Sequence, residues 1–341
     1  MTGSALAWLQ GQLFTMGPLS DVLVWTVVWL FALAAGVEWY GRRTDTDLMS
    51  SATTIATVAW VGFGLFWLNS VPFWAFEHQS YVEAILALAG GPACFYAARE
   101  LYTGRTSLFI LSRAIAVMGF IYLPFETIPA ISVGGLALPA PRRFLIEITT
   151  AITGWIISVA GYSPELVKNG AAYPATFRWV LDGGNHVYNV SIVLACTGLG
   201  SIAIFGGLIA AVRAPLDRKL RGLAVAIPII FTLNVLRTAF ISIVSGNQLM
   251  HWFPDVILFL FGATDPYRVS FLISDRIMSQ LGAVVALMII TYLVVRQLPE
   301  LLTVLEDVLY LLTGDEHDLQ EALDLPREPA VEQPEAASRG D

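Results

Sequence analysis

Long apolar runs broken by short, arginine-bearing polar stretches run through most of the chain. Residues 48–76, 183–212 and 277–295 contain no Asp, Glu, Lys or Arg. A bilayer crossing needs roughly 20 mostly apolar residues in helical form. The pattern predicts spans near 21–41, 52–70, 81–101, 107–125, 190–212, 222–244 and 270–296. Two other apolar stretches do not read as simple spans. Residues 144–161 carry Glu147, and residues 251–261, HWFPDVILFLF, are too short to cross. Stretches of that kind lie in the interface, re-enter the membrane or pack on other helices. The expected fold is an all-α polytopic membrane protein, with about seven to eight transmembrane helices plus interfacial helices on the external face.

Loop charges set the expected orientation through the excess of basic residues on cytoplasmic loops. Arg42 and Arg43 follow the first span, Arg99 and Arg105 the third, and Arg296 the last, while Arg213, Arg218, Lys219 and Arg221 join the fifth to the sixth. With seven spans, all of these groups fall inside. Arg142 and Arg143 then lie outside, against the rule. The expected organisation is an external segment 1–20 and an N-terminal membrane half of four spans, 21–125. An external segment 126–189 follows, holding an interfacial or re-entrant helix. A catalytic membrane core of three spans covers 190–296, and an acidic cytoplasmic tail covers 297–341.

Composition agrees with this picture. The chain has 56% hydrophobic and 13% charged residues, against about 25% charged in a typical soluble domain. Residues 1–17 lack the basic start and small-residue cleavage site of a signal peptide. After Pro299 there are 12 acidic and two basic residues, so the tail carries −10 and the rest about +2 of the net −8. The tail reads as helical around 300–313, and as disordered and solvating beyond Leu325. Lys168 and Lys219 are the only lysines beside 17 arginines. An acidic, lysine-poor tail suits a halophile, and GC-rich coding gives the same bias. No internal repeat of the transporter kind is present.

Charged residues within spans are expensive and usually functional. Arg237, in NVLRTAFIS, lies about seven residues from the outer end of its span; Arg276, in SDRIMSQ, lies about six from the outer end of the last. Cys196, in ACTGLGS, is also about six from an outer end. At 1.5 Å per residue all three sit roughly 9–10 Å below the external surface. Cys196 also heads a small-residue stripe with Gly200, Ala203, Gly207 and Ala210, which allows close helix approach. The plain alternatives are a packing cysteine and snorkelling arginines. A thiol becomes a strong nucleophile beside cations, and an arginine can donate to a developing oxyanion but cannot act as a base. Asn234 and Asp275 offer polar support. His186 and His251 are candidate proton carriers on the same face, and for each an ordinary surface role stands beside that one. Cys94 reads as apolar packing.

At these residues the sequence resembles the exosortase/archaeosortase family of multi-span membrane transpeptidases, and within it the archaeosortase A branch of haloarchaea. The resemblance is carried by ACTG at 195–198, NVLRTAFIS at 234–242 and Asp275-Arg276. Its motif-bearing core covers about 180–296. The bacterial pattern ends in a histidine where this chain has Arg276. The resemblance implies catalytic Cys196, Arg237 and Arg276. It also implies secreted substrates, such as S-layer glycoprotein, with a tripartite C-terminal signal: a PGF-type motif, a hydrophobic helix and a basic tail. The enzyme would cut near the motif through a Cys thioester and pass the new C-terminus to a membrane lipid.

Two other classes remain open to the residues alone. A transporter or flippase would use the arginines to bind anionic headgroups and would not need the thiol. An assembly partner would need neither. H-E-x-x-H and G-x-S-x-G are absent, as is a nucleotide-binding loop, so neither metal nor cofactor is expected, and no nucleic-acid partner.

Overall fold

The computed structural model describes residues 17–77, 81–133, 136–170, 173–315 and 318–319. Most of the expected N-terminal segment, and the acidic tail beyond 319, lie outside the described residues. Each expected span except that at 190–212 corresponds to a single long helix. The N-terminal half is α1 (Pro18–Thr44), α2 (Met49–Glu77), α3 (Tyr81–Tyr102) and α4 (Thr106–Thr127). The second half contains α5 (Pro141–Val159), α6 (Leu199–Ala211), α7 (Leu216–Gly246), α8 (Pro254–Leu260), α9 (Pro266–Gln297) and α10 (Leu302–Thr313).

Among the described residues five helices, α1, α2, α4, α7 and α9, are long and apolar enough to cross a membrane. α3 has 22 residues but carries Glu83 near one end and Arg99 and Glu100 near the other. α6 has only 13 residues. The apolar run at 190–212 is therefore not one helix. It begins as a strand ending at Ser191, passes through a 3-10 turn at Leu194–Thr197, and becomes helical at Leu199. Gly198 makes the switch at φ +75°, in the left-handed region, where a side chain would be strained.

The main core lies among α1–α4, α6, α7, α9 and α10, with Phe31, Leu101, Leu108, Ile209 and Val294 among its fully buried members. Close helix contact depends on small residues. A Cβ on Gly207 would lie 2.5 Å from the carbonyl oxygen of Ala114, which packs α6 against α4. The small-residue stripe divides here: Ala203 and Gly207 are buried, whereas Gly200 has open space beside it.

The segment 126–189 departs from the all-α expectation. It holds a short hairpin, β1 (Ile131–Val133) with β2 (Leu136–Leu138), and an antiparallel sheet of β3 (Glu165–Lys168), β4 (Pro174–Leu181) and β5 (His186–Ser191). β4 buries Ala175, Phe177 and Trp179 on one face, as successive side chains alternate across a strand, and Thr176 on the other face is buried as well. The Phe177 face packs with Ile146 and Ile157 of α5 and Ala239 of α7. The Trp179 indole donates to Ser242 Oγ at 3.3 Å, its ring lying where a Cβ on Gly246 would stand. α5 is the helix expected at 144–161. It buries Ile146, Thr149, Thr153 and Ile157 and exposes Phe144, Trp155 and Val159. α8, from the stretch too short to cross, is a seven-residue helix exposing Val256, Phe259 and Leu260.

Candidate active site

β5 delivers the chain to the cysteine. The Ile192 amide donates to the Ala175 carbonyl at 2.7 Å, and the Cys196 amide donates to that of Val193 at 2.9 Å, closing the 3-10 turn. Thr197 Oγ donates to the Leu194 carbonyl at 2.7 Å. Cys196 is half-buried, against the apolar cluster under the sheet. α7 fastens the turn from the other side. Asn234 Nδ2 donates to the Cys196 carbonyl, and Thr238 Oγ, one helical turn on, lies 3.4 Å from the same oxygen. Asn234 and Thr238 are i and i+4, hence on one face, and Arg237 lies between them in the sequence.

Arg237 Nη2 donates to Asp275 Oδ1 at 2.7 Å, which joins α7 to α9. Arg276 Nε lies 3.5 Å from Asp275 Oδ2, and its Nη1 lies 3.8 Å from Glu83 of α3. Asp275 and Arg276 belong to a π-helical turn, Leu272–Met278, inside α9. Such turns recur at functional sites because the extra residue redirects side chains. Burial pushes the Cys196 thiol up, the Val193 backbone and the Arg237 charge act against it, and the Asp275 charge adds to it. Sequence reasoning expected two arginines acting together on the cysteine. The structure gives two arginines and two carboxylates, so the added charges nearly cancel.

A cavity of about 620 Å³ opens between α6, α7 and α9 beside this cluster. Ala195 and Gly198, Asn234 and Arg237, and Ser279 line it, and Ile290 lies on its apolar wall. Arg237 Nε and Ser279 Oγ are buried and have no hydrogen-bond partner.

The structure brings together Cys196, Asn234, Arg237, Asp275 and Arg276 and leaves both histidines outside. His186 stacks on Tyr267 with ring centroids 3.6 Å apart. It begins β5, so the strand carries it about 17 Å from Ser191. His251 is exposed, beyond the end of α7. Among the described residues no hydrogen bond ties either to Cys196, and no group of His, Cys, Asp and Glu is placed to hold a metal. Glu83, Thr238 and Tyr188 were missed. Tyr188, from β5, packs in the same cluster as Cys196. Burial pushes its phenol up to about 12, Arg268 opposes, and Asp265 and Asp275 add. It therefore stays a neutral donor at any working pH. Glu83 carried a readable signal, an acid near the end of a span facing Arg276's expected depth. Thr238 and Tyr188 carried none.

The family model described as transmembrane exosortase matches residues 8–266. The chain belongs to the exosortase family. That match includes Cys196 and Arg237 and stops before Arg276. Among curated exosortase relatives, Archaeosortase A of Haloferax volcanii is 54% identical over 309 residues, 91% of this chain and 99% of that protein. Archaeosortase A of Natronomonas pharaonis is 38% identical over 305 residues, 87% of this chain and 90% of that one. No solved structure matches. Family membership and the five long apolar helices make this a multi-pass membrane protein.

Proposed function

We propose that the chain is a membrane-embedded cysteine transpeptidase of the archaeosortase type. The observation that carries this reading is the fastening of the Cys196 turn by Asn234 and Thr238 of α7, the helix that also holds Arg237 beside the cavity. A nucleophile needs a fixed approach to its carbonyl, because misplacement by even 1 Å is costly. The relatives' name supports the reading. The substrate class is a secreted protein with a C-terminal PGF-type signal, S-layer glycoprotein among them, and the acceptor is a membrane lipid. α3 and α6 complete seven crossings, with the Cys196 end of α6 external and the tail in the cytoplasm.

In the proposed reaction the Cys196 sulfur attacks the scissile carbonyl and its C–N bond breaks. The departing peptide amine gains a proton, and the acyl group remains as a thioester. A nucleophilic group on the lipid headgroup then attacks the thioester, loses its proton and releases the thiolate. Arg237 Nε, unpartnered beside the cavity, is the proposed donor to the thiolate or the carbonyl oxygen. Arg276 is assigned to the scissile carbonyl or the leaving group. A headgroup-binding transporter is less well supported, because Asp275 and Glu83 already offset both arginines.

The test is a full-length substrate carrying the C-terminal signal, followed in cells. With Cys196→Ala it should accumulate uncleaved and without lipid, at normal levels of the enzyme. Processing at the wild-type rate would show that the thiol is not the nucleophile.

A further inference from the structure

A second cavity, of about 410 Å³, lies at the other end of α6 from Cys196. Arg113 of α4 lines it, together with Arg213 from the connection between α6 and α7 and Lys219 from the first turn of α7. Its remaining wall is apolar, including Ala32 and Ala35 of α1 and Phe120 of α4. Nothing in the proposed transpeptidase chemistry uses these three cations.

Among the described residues their carboxylate partners are few. Buried Glu38 is shared by Arg42 at 2.8 Å and Arg213 at 3.0 Å. Glu300 Oε1 is 3.1 Å from Arg218. Lys219 Nζ donates to the Ala210 carbonyl at 2.8 Å, which leaves two of its three donors. Arg113 lies within the membrane-spanning helix α4, and its Nε is buried with no hydrogen-bond partner. Of the three cations that line the cavity, Arg213 alone has a carboxylate partner among the described ion pairs, and that partner, Glu38, is shared with Arg42. A buried cation in a span is costly unless paired. Snorkelling relieves that cost by lifting the charged head to water, but it does not explain three cations converging on one cavity, where they repel one another.

We propose that this cavity binds the phosphate of an anionic lipid headgroup. Basic pockets between membrane helices bind such headgroups. Arginine matches phosphate oxygens with a planar fork, and lysine adds a point charge. The apolar wall distinguishes a lipid from free phosphate: Ala32, Ala35 and Phe120 continue from the cations along α1 and α4 and give the acyl chain a surface to follow. The bound lipid would fix the foot of α6, whose other end meets the Cys196 turn. The inference rests on the multi-pass fold and not on the reaction assigned to Cys196.

The test uses full-length protein in neutral detergent, titrated with phosphatidylglycerol, phosphatidylcholine or inorganic phosphate. Thermal stability and native mass spectrometry are the readouts. Ligand binding to the folded state raises the melting temperature in a saturable manner. Phosphatidylglycerol should raise it by several degrees and appear as a bound lipid, and phosphatidylcholine should do neither. Arg113→Gln and Lys219→Gln should each lose most of the rise, while Arg43→Gln keeps it, its guanidinium lying over Trp39 outside the cavity. If Arg113→Gln does not fold, Lys219→Gln and the charge-preserving Arg113→Lys decide, the latter retaining binding. An equal rise with inorganic phosphate would overturn the lipid assignment. Equal binding of both lipids, or undiminished binding in the Gln variants, would overturn the site.

Discussion

Arg237 and Asp275 are joined at 2.7 Å, with side chains 35% and 17% exposed, and this pair ties the helix that fastens the Cys196 turn to the helix that carries Arg276. The pair makes Asp275 a structural partner of both arginines. It also means that the positive charge near the thiol is delivered with a counter-charge attached.

The balance of those charges predicts an order of reactivity at the thiol. At one fixed pH, alkylation of Cys196 should be slower in Arg237→Gln than in wild type, and faster in Asp275→Asn. A unit charge several ångströms away in a partly screened site changes the thiolate fraction on the order of tenfold. Arg276→Gln should have the smaller effect, because Arg237 is on the helix that fastens the Cys196 turn and Arg276 meets the site through Asp275. Unchanged alkylation in Arg237→Gln, with cleavage abolished, would assign that arginine to substrate.

Fastening of the turn predicts a graded response on α7. Asn234→Ala removes the donor to the Cys196 carbonyl and should cost about 1 kcal/mol of local stability. Cleavage should fall more than tenfold, because the nucleophile loses its fixed approach. Thr238→Val should do less, since its hydroxyl also bonds the Asn234 carbonyl at 2.8 Å and lies farther from the cysteine oxygen. Steady-state cleavage by purified variants checks the order, and a larger loss for Thr238→Val contradicts it.

Cys94 should be silent in catalysis. It is 5% exposed and sits in the main core among α1–α4. Cys94→Ala leaves a small void and should lower stability by about 1 kcal/mol with processing intact. A loss of processing equal to that of Cys196→Ala, at normal protein levels, would mean that the wrong thiol has been assigned.

Topology is open to direct labelling. Single cysteines placed in the exposed Gly183–Gly184 turn of the sheet should react with impermeant reagents on intact cells. Cysteines placed beyond Leu325 should react only after permeabilisation. Reaction of the tail on intact cells would reverse the proposed orientation and place the Cys196 turn at the inner face.

The sequence by itself located the long apolar helices and singled out the cysteine and the two arginines that the structure places near one another. Apolar runs of span length leave a chain in lipid few alternatives to helix, and a charge inside such a run is conspicuous. The same reasoning failed where an apolar run found backbone partners in a sheet. Residues 190–198 read as the start of a helix, yet pairing of β5 with β4 and the left-handed Gly198 turn them into a strand and a 3-10 turn. The sheet was hidden for the same reason: its strands are short, and their buried face is defined by α5 and α7, which are distant in sequence. Only the tertiary structure decided that Asp275 bridges Arg237 and Arg276, that Glu83 of α3 approaches Arg276, and that both histidines stand apart. Those relations depend on how separate helices are placed against one another and on the π turn that redirects Asp275 and Arg276. Local hydrophobicity sets where a helix runs. Which polar groups share its buried end is set by packing among helices.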